Sequence, residues 1–195
     1  MYEQVFKRWI DFLIALIAMP FLLIICIIVA PMILYDDGHP VFYNSKRIGR
    51  NGKLFKMYKF RSMKNNSPDI RLEDGSTYNG EDDPRVTKIG RILRKTSIDE
   101  LPQLLNVLKG DMSLIGPRPD PPDWLDLYTE EEREFLSARP GITGYSQAFY
   151  RNSVDSREKI QNDIYYIRNC SFILDVKILL KTIETVFKHE NVYRG

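Results

Sequence analysis

One stretch limits what this chain can fold into more than any other. From Phe12 to Leu34 it reads "FLIALIAMPFLLIICIIVAPMIL", without a charged residue. As a helix that run is roughly 34 Å long, enough to cross a hydrocarbon layer of about 30 Å. A run this long and apolar on every face does not suit the core of a soluble domain. It is also long for a signal-peptide core, and Ile28-Val29-Ala30 before Pro31 is a poor cleavage site. The run is therefore expected to stay as a membrane anchor.

The flanking charges bear on topology. Lys7 and Arg8 precede the run, and Lys46, Arg47, Arg50, Lys53, Lys56, Lys59, Arg61 and Lys64 follow it, with no acid between Val41 and Lys64. Positive flanks prefer the cytoplasmic side, and here both flanks are positive. Pro20 and Pro31 each remove an intrahelical hydrogen bond and can bend a helix. A re-entrant hairpin, broken at Pro20 and with both ends in the cytoplasm, satisfies both observations. The alternative is a single span that translocates only Lys7 and Arg8.

The remaining composition excludes more than it selects. A length of 195 residues allows one domain plus appendages. The net charge of +2 points to no nucleic-acid partner. Cys26 and Cys170 make no disulfide framework, and neither has a histidine beside it for a zinc site. His39 and His189 are read as surface residues. There is no Walker loop, no dinucleotide glycine motif and no histidine pair.

After the anchor, "PVFYNSKRIGRNGKLFKMYKFRSM" predicts two strands joined by a tight turn at Asn51-Gly52, with Lys59 and Arg61 on one face. Residues Asn65 to Pro84 read as a polar loop, a candidate lid. Arg85 to Lys95 predicts a short amphipathic helix. A further helix ends at Gly110, a natural C-terminal cap. "MSLIGPRPDPPD" reads as a proline-rich loop, and a short helix breaks at Pro140. "YSQAFYRNSVDS" is a polar connection, followed by a helix around Arg157 to Asn169. In the last helix Phe172, Val176, Leu179, Ile183 and Val186 form one stripe, read as core, with a membrane-surface helix as the alternative.

The chemistry-bearing segment is "RKTSIDELPQ", with adjacent carboxylates at Asp99 and Glu100. Ser97 to Glu100 matches a capping box, Ser97 as N-cap and Glu100 at the third helical position. A second reading starts from the basic residues nearby: Lys59, Arg61, Arg91, Arg94 and Lys95. Arg118 joins them from "GPRP", a loop stiffened by Pro117 and Pro119. Guanidinium groups suit bidentate contact with phosphate. Among phosphate-binding groups, one carboxylate can hold Mg²⁺ and another can attack phosphorus.

"KRWIDF", "KMYKFRSM", "SIDELPQLLNVLKGDMSLIGPRP" and "RPGITGYSQ" resemble the bacterial sugar transferases, and more narrowly the small monotopic phosphoglycosyl transferases. The likeness runs from about Lys7 to the final helix. It implies transfer of a sugar 1-phosphate from a UDP-sugar to undecaprenyl phosphate at the cytoplasmic face of the bacterial inner membrane. The product is a polyprenyl diphosphate-linked sugar, UMP leaves, and downstream glycosyltransferases are implied as further partners. Carried over, Asp99 is the nucleophile and Glu100 its partner, with Mg²⁺ at the pair. Arg94 and Arg118 match phosphate-site arginines, and Lys59 and Arg61 the basic strand near the site. Gln147 and Arg151 match residues of the nucleotide-sugar region. The chain departs from the family in having Met19-Pro20 where a Ser-Pro break is usual, and "SQAFYRN" where "AQVNGRN" is frequent. The expected architecture is α+β and mainly helical: a re-entrant anchor over 1–36, then a small β-hairpin and amphipathic helices in a membrane-associated domain over 37–195. The competing reading is a non-catalytic, membrane-tethered basic module that binds anionic lipid or a partner protein.

Overall fold

The apolar run folds as one helix, α1 (Lys7–Asp37), preceded by a π turn, Tyr2–Phe6. The structure is a computed structural model. It describes residues 2–72, 78, 80–151 and 153–188, with Glu3 and Gln4 as backbone alone. The expectation for His189, and part of the polar loop at 73–77 and 79, lie outside the described residues.

Contrary to the break expected at Pro20, α1 continues through both Pro20 and Pro31. A proline removes one hydrogen bond per site, but packing holds the helix on either side of each. Ala15, Leu22, Val29 and Ile33 form a buried stripe with spacings of seven, seven and four residues. Ala15 and Leu22 pack with Met57, Val107 and Met112, while Val29 and Ile33 pack with Phe60 and Leu93. The two ends are held by ion pairs, Lys7 with Asp175 at 2.5 Å and Asp37 with Arg61. The other faces are apolar and exposed, among them Leu13, Ile17, Phe21, Ile24, Ile27 and Ile28. By length and composition α1 is able to cross a membrane.

The expected hairpin forms. Strands β1 (Phe42–Ile48) and β2 (Leu54–Phe60) pair antiparallel, with Phe42 opposite Phe60 and Ile48 opposite Leu54. The turn between them holds Asn51 at φ +55° and Gly52 at φ +74°, the left-handed conformations that an Asn-Gly pair tolerates best.

The helix expected from Arg85 begins three residues later, as α2 (Lys88–Thr96). Thr87 caps it, its hydroxyl accepting the Gly90 N–H at 2.9 Å. Arg85 is instead bound by the buried Asp83 carboxylate. A Cβ on Gly90 would lie 1.9 Å from the Ser62 carbonyl oxygen, so α2 rests directly on the backbone that follows β2.

A 3-10 helix, Ile98–Gln103, leads into α3 (Leu104–Lys109), which ends at Gly110 with φ +90°, the expected cap. The stretch read as a proline-rich loop opens as a strand, β3 (Ser113–Ile115), parallel to β4 (Gly141–Thr143). The helix before Pro140 is a 3-10 turn, Glu132–Ser137. Then come α4 (Tyr145–Phe149), inside the stretch read as a polar connection, α5 (Ser156–Arg168), capped by Asp155, and α6 (Phe172–Lys188).

Helix α6 corrects the core reading of its stripe. Phe172, Val176, Leu179 and Ile183 are exposed, together with Ile173, Leu180 and Phe187; the last is 80% exposed. The buried face carries Asp175, Ile178 and Thr185. Polar anchors set this rotation. Asp175 accepts hydrogen bonds from Lys7, Tyr2 and Tyr166, and the Thr185 hydroxyl donates to the Ala148 carbonyl. A buried carboxylate must be paired, and here that outweighs the larger apolar stripe. The whole is mainly helical α+β with an apolar N-terminal helix and a small antiparallel strand pair.

Candidate active site

The segment that carries the adjacent carboxylates does not form a capping box. Ser97 has φ +58° and closes α2, its N–H donating to the carbonyls of Leu93 and Arg94. Its side chain caps nothing in the following 3-10 helix. Ser97 is thus the end of one helix, not the start of the next. Lys59 and Arg118 act on both acids, but only Glu100 is bonded to them.

Glu100 faces strand β2. Lys59 Nζ donates to Glu100 Oε1 at 2.6 Å, and both terminal nitrogens of Arg118 lie 3.4 Å from the same oxygen. Burial raises the Glu100 pKa, but Lys59 and Arg118 outweigh it and hold the carboxyl down at about 2. Asp99 is 8% exposed. Among the described residues its carboxylate accepts no hydrogen bond. Burial pushes its pKa up to about 6, and the Glu100 charge adds to this, against Lys59, Arg94 and Arg118. Two adjacent acids are therefore split, one locked as an anion and one poised near neutrality.

The basic residues are positioned by backbone devices. Gly116 N–H donates to the Thr143 carbonyl at 2.9 Å, and Gly141 N–H to the Pro117 carbonyl at 2.8 Å. These bonds strap the Gly116–Pro119 loop to β4. A Cβ on Gly141 would lie 2.1 Å from the Gly116 nitrogen, so only glycine lets the strap close. Arg118 leaves the strapped loop half-exposed, toward Glu100. Arg94, in the last turn of α2, donates from Nε to Ser62 Oγ at 3.0 Å.

Five of the residues expected at the site come together in this way: Lys59, Arg94, Asp99, Glu100 and Arg118. Arg61 does not join them. It donates to Pro40, Asp37 and Gly38 carbonyls and to the Asp37 carboxylate, fastening the end of α1. Gln147 and Arg151 sit on α4 and just past it. Gln147 Nε2 donates to the Ile142 carbonyl at 3.3 Å. Its Oε1 is buried beside Gly144, which in turn abuts the Gly116 carbonyl at the root of the Arg118 loop. Arg151 has φ +49° and donates its N–H to Ser146.

Sequence reasoning missed a second charged layer behind Arg118. Tyr128 donates to the Asp120 carboxylate at 2.7 Å, and Ile48 N–H to the Asp120 carbonyl. Burial lowers the Arg47 pKa, and the neighbouring Arg118 lowers it further. Only the run of cations on β1 hinted at Arg47.

Among the described residues no three His, Cys, Asp or Glu side chains gather into a metal cage. An open pair of carboxylates still fits Mg²⁺, which takes one or two protein carboxylates and completes its shell with water and substrate phosphates.

The sequence was compared with those of known proteins. The family described as Bacterial sugar transferase matches residues 2–189. An undecaprenyl-phosphate galactose phosphotransferase of Salmonella typhimurium is 42% identical over 88% of this chain and 40% of its own. A UDP-N-acetylgalactosamine-undecaprenyl-phosphate N-acetylgalactosaminephosphotransferase of Aeromonas hydrophila is 41% identical over 92% of this chain and 43% of its own. An uncharacterized sugar transferase of Bacillus subtilis, EpsL, is 42% identical over 97% of this chain and 91% of its own. The chain thus spans about two fifths of the length of several relatives and nearly all of another. By the extent of the family match and the identity of these relatives, the chain belongs to the bacterial sugar transferase family.

Proposed function

We propose that this protein transfers a sugar 1-phosphate from a UDP-sugar to undecaprenyl phosphate, as a first membrane step in bacterial glycoconjugate or polysaccharide biosynthesis. The observation that carries this reading is the split dyad. Asp99 is buried and holds no hydrogen bond among the described residues, while Glu100 beside it is tied to Lys59 and Arg118. A carboxylate not tied up by hydrogen bonds from the protein is free to attack.

In the first step an Asp99 oxygen attacks the β-phosphorus of the donor. The bond from that phosphorus to the bridging oxygen breaks, and UMP leaves with the bridging oxygen. In the second step an oxygen of the lipid phosphate attacks the same phosphorus and Asp99 returns as a carboxylate. Arg118 and Arg94 stabilise the charge on the transferring phosphoryl oxygens. Lys59 keeps Glu100 ionised and in place. Mg²⁺, held by Asp99 and Glu100 with the donor phosphates, would neutralise charge on the diphosphate. Splitting the exchange lets a soluble nucleotide and a lipid use one site in turn.

Membrane residence is part of the proposal. Both ends of α1, and one stripe along its length, dock on the same body. A helix crossing the bilayer would drag that body into the lipid. This supports a monotopic placement with the exposed faces of α1 and α6 in the lipid, and the positive flanks of α1 favour the cytoplasmic face.

The test supplies protein in detergent with Mg²⁺, undecaprenyl phosphate and a panel of UDP-sugars, beside Asp99→Asn. UMP release with one donor, absent in the variant, supports the transferase and names the sugar. Full turnover by Asp99→Asn removes Asp99 as nucleophile. Nucleotide binding that is absent from both proteins favours the tethered basic module.

A further inference from the structure

Arg47 takes no part in holding the dyad, yet the fold brings it close. It stands on β1 opposite Phe55, as Tyr43 stands opposite Lys59. Facing residues of an antiparallel pair share one side of the sheet, and so do alternate residues of a strand. Arg47 therefore lies on the Lys59 side of the hairpin, the side that meets Glu100. Its neighbour Ile48 donates its N–H to the Asp120 carbonyl at 3.0 Å, which ties this end of β1 to the chain two residues past Arg118.

The two guanidinium groups at this corner are held differently. Arg118 reaches Glu100 through both terminal nitrogens. Arg47 donates from Nε to Ser45 Oγ at 3.3 Å. Among the described residues it forms no ion pair, and its terminal nitrogens have no hydrogen-bond partner. Those two nitrogens carry four of its five N–H groups. The Asp120 carboxylate is engaged by Tyr128. Burial lowers the Arg47 pKa and Arg118 lowers it further, against the attraction of Asp120, Tyr43 and Glu100. The planar fork of arginine suits two oxygens of a phosphate. An anion seated between two guanidinium groups replaces their mutual repulsion by attraction on both sides.

We propose that Arg47 and Arg118 together bind a second phosphate, the neighbour of the one under attack in the reacting diphosphate. This rests on the transferase reading of the site. Arg118 touches Glu100 and Arg47 does not, so Arg118 spans the two phosphates and Arg47 serves the outer one. In the donor the outer phosphate belongs to the nucleotide, and in the product it belongs to the lipid. One arginine pair thus serves both half-reactions, and the nucleotide phosphate leaves before the lipid phosphate enters.

The test titrates the full chain in a neutral detergent with UMP, and follows turnover of a panel of UDP-sugars with undecaprenyl phosphate. The variants are Arg47→Gln, Arg47→Lys and, as a control, Lys46→Gln, which removes the same charge from the other side of β1. UMP binding is expected to weaken about tenfold in Arg47→Gln and about threefold in Arg47→Lys, which keeps the charge and loses the fork. The control loses less than about twofold. KM rises about tenfold in Arg47→Gln for the donor and for the lipid phosphate alike, with kcat nearly unchanged. If Arg47→Gln fails to fold by circular dichroism, Arg47→Lys carries the test. UMP binding unchanged in a folded Arg47 variant, or weakened equally in Lys46→Gln, would overturn the site, while turnover by the unaltered protein leaves the transferase standing. A KM raised for one substrate alone would overturn its service to both. The titration needs no turnover, so arginine-dependent UMP binding without transfer from any donor would keep the phosphate site and sink the transferase reading.

Discussion

Lys59, near the end of β2, and Arg61, just past it, stand two residues apart, yet they belong to regions with opposite electrostatics. Around Arg61 every charge is matched: it meets the Asp37 carboxylate and three carbonyls, and at the other end of α1 Lys7 meets Asp175. Around Lys59 the matching is incomplete. Glu100 takes both Lys59 and Arg118, and Asp99 is left buried without a hydrogen bond among the described residues. A clamp that only holds a helix is stable when fully satisfied. A site that must receive a phosphorylated substrate keeps one group without a protein partner and open to that substrate.

The largest expected effect falls on the unsatisfied side. Asp99→Asn is expected to lower UMP release at least about a thousandfold with no loss of thermal stability, read by activity assay and thermal unfolding together. If the variant lost stability and activity in parallel, Asp99 would belong with the clamp. The satisfied side predicts the reverse. Lys7→Met leaves the buried Asp175 with its two tyrosine hydrogen bonds but without a cation, and is expected to cost about 3 kcal/mol in denaturant unfolding, while the protein that stays folded retains its kcat.

The dyad also predicts a pH response. Asp99 must be ionised to attack, so kcat/KM is expected to rise as pH increases through about 6. The Lys59 charge opposes that upward shift, so Lys59→Met moves the acid limb of the profile to higher pH. The stability sign runs the other way. The folded state holds the Asp99 proton more tightly than the unfolded chain, so this group lowers stability as pH rises from the usual aspartate range to about 6. Asp99→Asn flattens that part of the stability profile. A profile unchanged in both variants would separate the acid limb from Asp99.

The smallest effect concerns the turn that splits the dyad. Ser97 adopts a left-handed conformation and its side chain caps nothing. Ser97→Gly is expected to raise stability by up to about 1 kcal/mol, since glycine adopts that conformation without strain. A loss of similar size would restore the N-cap reading of the sequence.

Local patterns were legible where their physics is local. The Asn51-Gly52 hairpin and the Gly110 cap each depend on neighbouring residues and form as read; the apolar run is helical as read, but without the break expected at Pro20. Ser97 misled because a capping box needs only spacing to be suspected, whereas the conformation of Ser97 follows from where α2 must stop. The parallel pairing of β3 with β4 left no local trace, because strands of three residues carry no usable alternation and their partners lie far apart in the chain.

By itself the sequence determined that an uncharged run would form a long helix with apolar faces, and that two acids would stand among many cations. Tertiary structure alone decided which cation serves which acid. Lys59 reaches Glu100 because β2 lies against the 3-10 helix, and Arg61, two residues on, is drawn to the end of α1. It also decided that α6 buries Asp175 and exposes Phe172 and Leu180, since a carboxylate taken from water must meet Lys7 and Tyr166 wherever the fold has placed them. Hydrophobic periodicity identifies a helix and its faces, but the partners available to buried charges choose which face turns inward.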